Sequence, residues 1–311
     1  MKCLVTGGCG FIGSHLVREL VERGEDVRVL DDLSSGRREH LAGLDADLRV
    51  ADLRDEDALS GALAGIEVVF HQAAVPSVPR SLREPERTFS VNVGGTHRLL
   101  LAARAAGVRR VVIASSSSVY GDAEALPKHE ELPPRPRSPY AAQKASCEAL
   151  ARAFSESLGL ETVCLRYFNV YGPRQDPQSP YAAVVPAFVV RALRGETAEI
   201  HGDGEQTRDF TFVGDVVRAN LRAAEAPGVA GAVINVAGGR EVRVLDLHAQ
   251  IARLTGTVRP PVHAPPRAGD VRRSLACIER AAALLDWRPE VSLAEGLART
   301  IAALREELSP R

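Results

Sequence analysis

The sequence predicts an α/β protein built on a doubly wound parallel sheet, and three observations carry that prediction. Short apolar, β-rich runs recur through the first half of the chain, stretches of helical period separate them, and the runs are apolar on both faces. Strands covered by helices on both sides have this pattern.

The elements follow in order. CLVTG is the first strand; a glycine-rich turn and a helix over 14–23 come next. DVRVLDD, LRVADL and VVFHQAA are the second, third and fourth strands. The helical stretch 93–106 leads into RRVVIASSS, and a helix over 141–158, opened by Pro139, leads into TVCLRYFNV. The alternation breaks at the proline-rich stretch 172–186. AVINVAG then reads as one more strand, and proline clusters fall at 259–266 and 288–289. Ser292 and Glu295 form a capping-box pattern ahead of a last helix, residues 293–308. The expected organisation is residues 1–170 around the sheet and 171–311 as a smaller mixed α/β lobe, with a segment near 205–240 returning to the sheet.

Composition narrows the classes of function. At 311 residues the chain is long enough for about two domains or one large α/β unit. Hydrophobic residues at 45% and charged residues at 25% exclude a disordered chain. A formal charge of -1 leaves no electrostatic footprint for nucleic acid or an acidic membrane. Five cysteines without C-x-x-C spacing point to reduced thiols rather than a disulfide framework or zinc site. No run approaches the ~18 apolar residues of a membrane span, and the opening lacks a signal-peptide core, so a cytoplasmic protein is expected. Eight histidines without an i, i+4 pair predict no metal site; they read as caps and surface residues. Of 39 basic residues only Lys2, Lys128 and Lys144 are lysines. Lys2 and Lys128 read as solvated surface charges.

Chemistry enters with the turn after the first strand. In Thr6-Gly7-Gly8-Cys9-Gly10-Phe11-Ile12-Gly13 the glycines allow a tight turn, a close backbone approach to a pyrophosphate and tight packing of the next helix, whose amino end faces the phosphates. Asp31, at the end of the second strand, stands where a carboxylate accepts the adenosine ribose hydroxyls and repels a 2′-phosphate. This predicts the Rossmann arrangement and NAD rather than NADP. Asp52-Leu53, ending the third strand, would lie beside the adenine.

Tyr140 and Lys144 stand four apart, on one face of a helix. A free phenol with a pKa near ~10 is a poor base at neutral pH, and a neighbouring ammonium stabilises its phenolate. Lysine suits this better than arginine because it is a compact charge that can also bond a cofactor ribose. In a chain that otherwise uses arginine almost throughout, Lys144 is the exception with a reason. A hydroxyl from the Ser115–Ser118 run, ending the fifth strand, would share the substrate oxygen.

Taken together, TGGCGFIGSH, LDDLSSG, FHQAA, VNVGGT, SSSSVYG, the Tyr140–Lys144 pair, LRYFNVYGPRQ, GDGEQTRDFTFVGDV and PPRAGDVRRS resemble the extended short-chain dehydrogenase/reductases, and among them the nucleotide-sugar epimerases of the UDP-glucose 4-epimerase type. The resemblance implies Tyr140 as catalytic base and acid, Lys144 as its tuning partner and Ser116 as the hydroxyl beside the sugar O4. It implies NAD held by Gly7, Gly10, Phe11, Ile12, Gly13, Asp31, Asp32, Ser35, Gly36, Asp52, Leu53, Ala73, Ala74, Asn92 and Phe168, besides Tyr140 and Lys144. A UDP-sugar would be held by Asn169, Arg208, Arg267 and Asp270, with Ser274 as a small gatekeeper beside the sugar C2 group. Ser117 and Ser118 stand where related 4,6-dehydratases carry an Asp-Glu pair, which disfavours dehydration. Ser118 also replaces the glutamate usual in UDP-xylose synthases. The loop Ser77-Val78-Pro79-Arg80-Ser81 is similar to that of N-acetylhexosamine epimerases. A UDP-glucuronate 4-epimerase is the runner-up, disfavoured because an acid at Asp176 would repel a sugar carboxylate if it faced the sugar. A non-catalytic NAD sensor would not need Ser116, Tyr140 and Lys144 all intact. The resemblance also implies a homodimer, joined through the helices over 96–106 and 141–158.

Overall fold

The computed structural model describes residues 1–177, 183–266 and 271–309. Its centre is a seven-stranded, wholly parallel sheet. The first six strands are β1 (Lys2–Thr6), β2 (Asp26–Asp31), β3 (Asp47–Val50), β4 (Val68–His71), β5 (Arg110–Ser116) and β6 (Glu161–Tyr167). The seventh is Ala232–Val236, and the order across the sheet is Ala232–Val236, β6, β5, β4, β1, β2, β3. The doubly wound sheet expected from the sequence is therefore present.

The helices are α1 (Phe11–Glu22), α2 (Glu56–Leu63), α3 (Val78–Arg83), α4 (Pro85–Phe89), α5 (Thr96–Ala105) and α6 (Pro139–Leu158), followed by later helices named by range. They cover both faces of the sheet, which is why its strands need apolar residues on each side. Leu16, Val17 and Leu20 of α1 pack with Val216, Val217 and Leu221 of helix Val213–Glu225 on one face. Leu59 and Leu63 of α2, Leu99 and Leu100 of α5, and Phe154 of α6 fill the other. A separate core joins Phe188, Val189, Ile200, Phe210, Phe212, Leu247, Ile251, Leu297 and Ile301 in the second half of the chain. Trp287, from that half, instead packs into the first face and donates its indole N–H to Asp215 O at 3.0 Å.

Register lines up the carboxyl ends that carry the site. Thr6 pairs with Leu30 and with His71, and His71 with Ile113. The turns after β1, β4 and β5 thus emerge along one edge of the sheet, where ligands of open parallel sheets bind.

Several local expectations are corrected. The third strand stops at Val50, so Asp52 and Leu53 lie in the following turn, where Asp52 pairs with Arg54 at 2.6 Å. The helix expected from residue 93 opens with a π-helical turn, Ser90–Gly95. The capping box at Ser292 is half-formed: its hydroxyl accepts the Glu295 amide, while Glu295 turns to Arg299. Lys128 is not a surface charge, being 2% exposed with its ammonium on the carbonyls of Gly121 and Ala123. Lys2 does lie at the surface, 3.2 Å from Asp26. The histidines are not all caps and surface residues, because His71 is buried and His248 packs against Phe188. All five cysteines are free.

Candidate active site

The glycine turn is shaped by what has no room to be there. Gly7 has φ +69°, and a Cβ on it would lie 2.7 Å from the Ala73 nitrogen. A Cβ on Gly13 would lie 2.1 Å from the Gly7 carbonyl oxygen. Glycine at both places lets β1, the turn after β4 and α1 converge. The first turn of α1 carries neither a capping side chain nor an acidic residue. Its amino end is thus left for an anion.

Asp31 closes the other side of this cradle. Its Oδ2 accepts the Cys9 amide at 2.9 Å and its Oδ1 the Leu33 amide at 2.8 Å. Burial pushes its carboxyl up, against the pull of those two amides. Each oxygen keeps a lone pair for a hydroxyl donor. A Cβ at Gly36 would come within 2.9 Å of Asp31 Oδ1, which keeps that approach open. Asp32 is turned to the Ser34 amide. A bare helix end, a close-packed glycine turn and a carboxylate with free lone pairs fit a dinucleotide; Phe11 and Ile12, which open α1, pack toward the core of the second half of the chain.

Beneath the cradle runs a buried polar chain that fixes its own proton positions. Thr96 Oγ1 donates to Asn92 O at 2.5 Å, so it accepts from His71 Nε2 at 2.9 Å. His71 Nδ1 therefore accepts from Thr6 Oγ1 at 2.7 Å, and that hydroxyl in turn accepts the Ala73 amide at 3.3 Å. Burial pushes His71 down to about 3, which keeps it neutral in this role. Asn92 acts from behind: its side chain bonds the Val75 amide and Gln143, and Leu53 packs against Gly95. Phe168 is buried, its side chain 0% exposed, its amide on Val236 O and its carbonyl accepting from Thr211.

Tyr140 and Lys144 stand in the first turns of α6, which Ser138 caps through the Ala141 amide and Pro139 opens. The Tyr140 amide donates to Ser81 Oγ at 3.1 Å, which anchors the tyrosine to α3. Lys144 is buried, with Nζ on Ala114 O at 2.7 Å and 6.0 Å from the Tyr140 ring centroid. One of its three donors is held, and two remain. Ser116 ends β5 half-buried, its hydroxyl accepting the Ser118 amide at 3.2 Å. The strand and helix thus bring Ser116, Tyr140 and Lys144 to the same edge as the glycine turn.

On the other side of this edge, Asn169 takes a left-handed backbone, φ +30°, and donates to Asp209 O at 2.9 Å. Asparagine is among the side chains that tolerate this conformation best. Arg208 is half-buried and donates to the carbonyls of Thr207 and Val271, each at 2.7 Å. Ser274 is buried, 8% exposed. Arg267 and Asp270 lie outside the described residues. Asp176 is 3.8 Å from Arg37, in the turn after β2. That pairing weakens the case that its charge would repel an anionic sugar.

Two residues escaped sequence reading. Asp209 is wholly buried, with Oδ2 on the amides of Gly239 and Ala276 at 3.2 and 3.1 Å, and burial pushes it up to about 7. It ties Arg208's strand to the segment carrying Ser274, and no local spacing announces that. Glu148 is the second, and for it a signal existed: it stands four residues beyond Lys144.

A dinucleotide turn joined to a serine, a tyrosine and a lysine at one sheet edge fits the class of NAD-dependent enzymes. Residues 3–237 match the NAD dependent epimerase/dehydratase family, and the chain belongs to it. It is 46% identical to a UDP-glucose 4-epimerase of Mycolicibacterium smegmatis over 314 residues, 99% of each chain. A UDP-glucose 4-epimerase of Thermotoga maritima, solved with UDP-glucose, matches at TM-score 0.96 and 42% identity, over 99% of this chain and 100% of that one. A UDP-N-acetylglucosamine 4-epimerase of Methanobrevibacter ruminantium, in complex with UDP-N-acetylmuramic acid, matches at TM-score 0.95 and 40% identity, over 99% of each chain. Among the described residues no group of three or more His, Cys, Asp or Glu is placed to hold a metal. No helix among them is long and apolar enough to cross a membrane.

Proposed function

We propose that the protein epimerises UDP-glucose and UDP-galactose at C4, and UDP-GlcNAc and UDP-GalNAc as well, through a transient 4-keto sugar. The observation that carries this reading is the Tyr140–Lys144 pair anchored at the end of β5 beside Ser116, in a chain similar end to end to a UDP-glucose 4-epimerase. NAD, held by the glycine turn of Gly7, Gly10 and Gly13 and by Asp31, would supply reversible hydride-acceptor chemistry. Tyr140 takes the O4 proton and gives it back, its phenolate favoured by the Lys144 ammonium. Ser116 shares the O4 hydrogen bond and orients the transfer. Arg208 and Arg267 hold the diphosphate, Asn169 and Asp270 the rest of the nucleotide, and a small Ser274 leaves room at C2. The enzyme works as a cytoplasmic homodimer in this reading, which five free thiols and exposed Phe89 and Leu101 support.

Purified protein is incubated with UDP-glucose, UDP-GlcNAc and UDP-glucuronate in turn, without added NAD, and the anomeric proton signals are followed. Epimerisation of the first two is expected. Turnover of UDP-glucuronate alone overturns the neutral-sugar reading, and turnover of none, with NAD retained, favours a sensor.

A further inference from the structure

The spacing that joins Tyr140 to Lys144 continues one step further. Glu148 stands another four residues on, along the same face of α6, and is buried. A buried carboxylate is unfavourable unless its oxygens are taken up. Here they are. Oε1 accepts Ser115 Oγ at 2.5 Å and Arg166 Nε at 2.8 Å, and Oε2 accepts Arg166 Nη2 at 2.7 Å. Arg166 is held from its other side by the Tyr120 ring, 4.5 Å from Cζ to the centroid, and the Tyr120 hydroxyl donates to Asn235 at 2.7 Å. The ion pair leaves no uncompensated anion one helical turn from Lys144, where one would oppose phenolate formation.

With Lys144 on Ala114 O, helix α6 grips β5 at two consecutive residues, Ala114 and Ser115. The next residue is Ser116. Strand alternation sets the Ser115 hydroxyl toward the helix and that of Ser116 away from Glu148. A slip of β5 along α6 would have to break both contacts together. We propose that Glu148, acting through Ser115, is a positioning residue that fixes the register of Ser116 against Tyr140 and Lys144 during proton transfer. This rests on the reading of those three as the proton-transfer group.

Ser115→Ala removes one bond and leaves the Glu148–Arg166 pair in place. With the sugar nucleotide that the anomeric assay shows to be turned over, kcat is expected to fall about tenfold, because small misplacements of reacting groups are costly to rate. KM and bound NAD are expected at wild-type values, with Tm lower only by the few degrees that one lost buried hydrogen bond costs. Ser115→Thr restores the hydroxyl and should recover most of the lost kcat. Unchanged kcat in Ser115→Ala overturns the proposal, as does a joint fall of kcat, bound NAD and Tm, which a merely structural bond would give. Ser116→Ala and Tyr140→Phe, run alongside, separate the two readings. If both keep wild-type kcat, the assignment of the proton-transfer group fails; if they lose it and Ser115→Ala does not, only the positioning role fails.

Discussion

In the proposed function, single side chains carry two things at this site, the proton's path and the room for the sugar. Ser274 is small and buried, in a segment whose Ala276 amide is tied to Asp209 and whose Leu275 carbonyl accepts the Lys128 amide at 2.8 Å. A segment held at both points cannot easily move aside for a larger side chain. Ser274→Tyr is therefore expected to lower kcat/KM for UDP-GlcNAc by at least about 100-fold while leaving UDP-glucose within about threefold, the scale that one displaced group allows. Equal loss for both sugars in a competition assay would reject the gatekeeper role. At this scale the sequence was legible where an arrangement is written in local spacing, as for Tyr140 and Lys144 on one face of α6. It was not where burial comes from distant segments. Lys128 is hidden because Gly121, Ala123 and the segment Leu275–Cys277, bridged to it at Ala276, close around it, and His71 because Thr6 and Thr96 meet it from two other elements.

At the scale of elements, periodicity marked the strands and long helices because their apolar residues face a core, and α6 begins at its proline for reasons internal to the sequence. The π-helical turn at Ser90–Gly95 had no such signature, since it arises where Asn92 must reach Val75 while Thr96 caps back onto the Asn92 carbonyl. The same helices carry a surface that the fold leaves uncovered. Phe89 is 55% exposed and Leu101 46%, and Ala142, Ser146, Ala149 and Ala153 are exposed along α6. Small residues let a second helix approach closely, and exposed large apolar ones reward it. Leu101→Arg, which meets no core contact in the monomer, should convert a dimer to a monomer in sedimentation velocity with Tm little changed. A wild-type protein that sediments as a monomer at micromolar concentration would sink the dimer.

Over the whole molecule, the polar groups that shape the site also set how stability responds to acid. Burial pushes His71 down to about 3 and His15 down to about 4, so the unfolded chain takes up protons below about 6.5 that the folded one refuses. Stability from these two is present above that pH and is lost as pH falls through the window. Asp209 works in the opposite direction. Raised from 3.8 to about 7, it holds a proton in the folded state that the unfolded chain releases, so its contribution grows as pH falls from about 7 toward about 4. Each group contributes a slope of up to ~1.4 kcal/mol per pH unit where only one state is protonated. Asp209→Asn removes the opposing slope and leaves the histidines unbalanced. Its unfolding free energy, measured by urea between pH 6.5 and 5, should therefore drop more steeply than that of wild type, by about 1 kcal/mol per pH unit. Parallel slopes would mean that Asp209 is already ionised in the folded protein throughout that range. Its amide cradle at Gly239 and Ala276 would then be strong enough to outweigh complete burial.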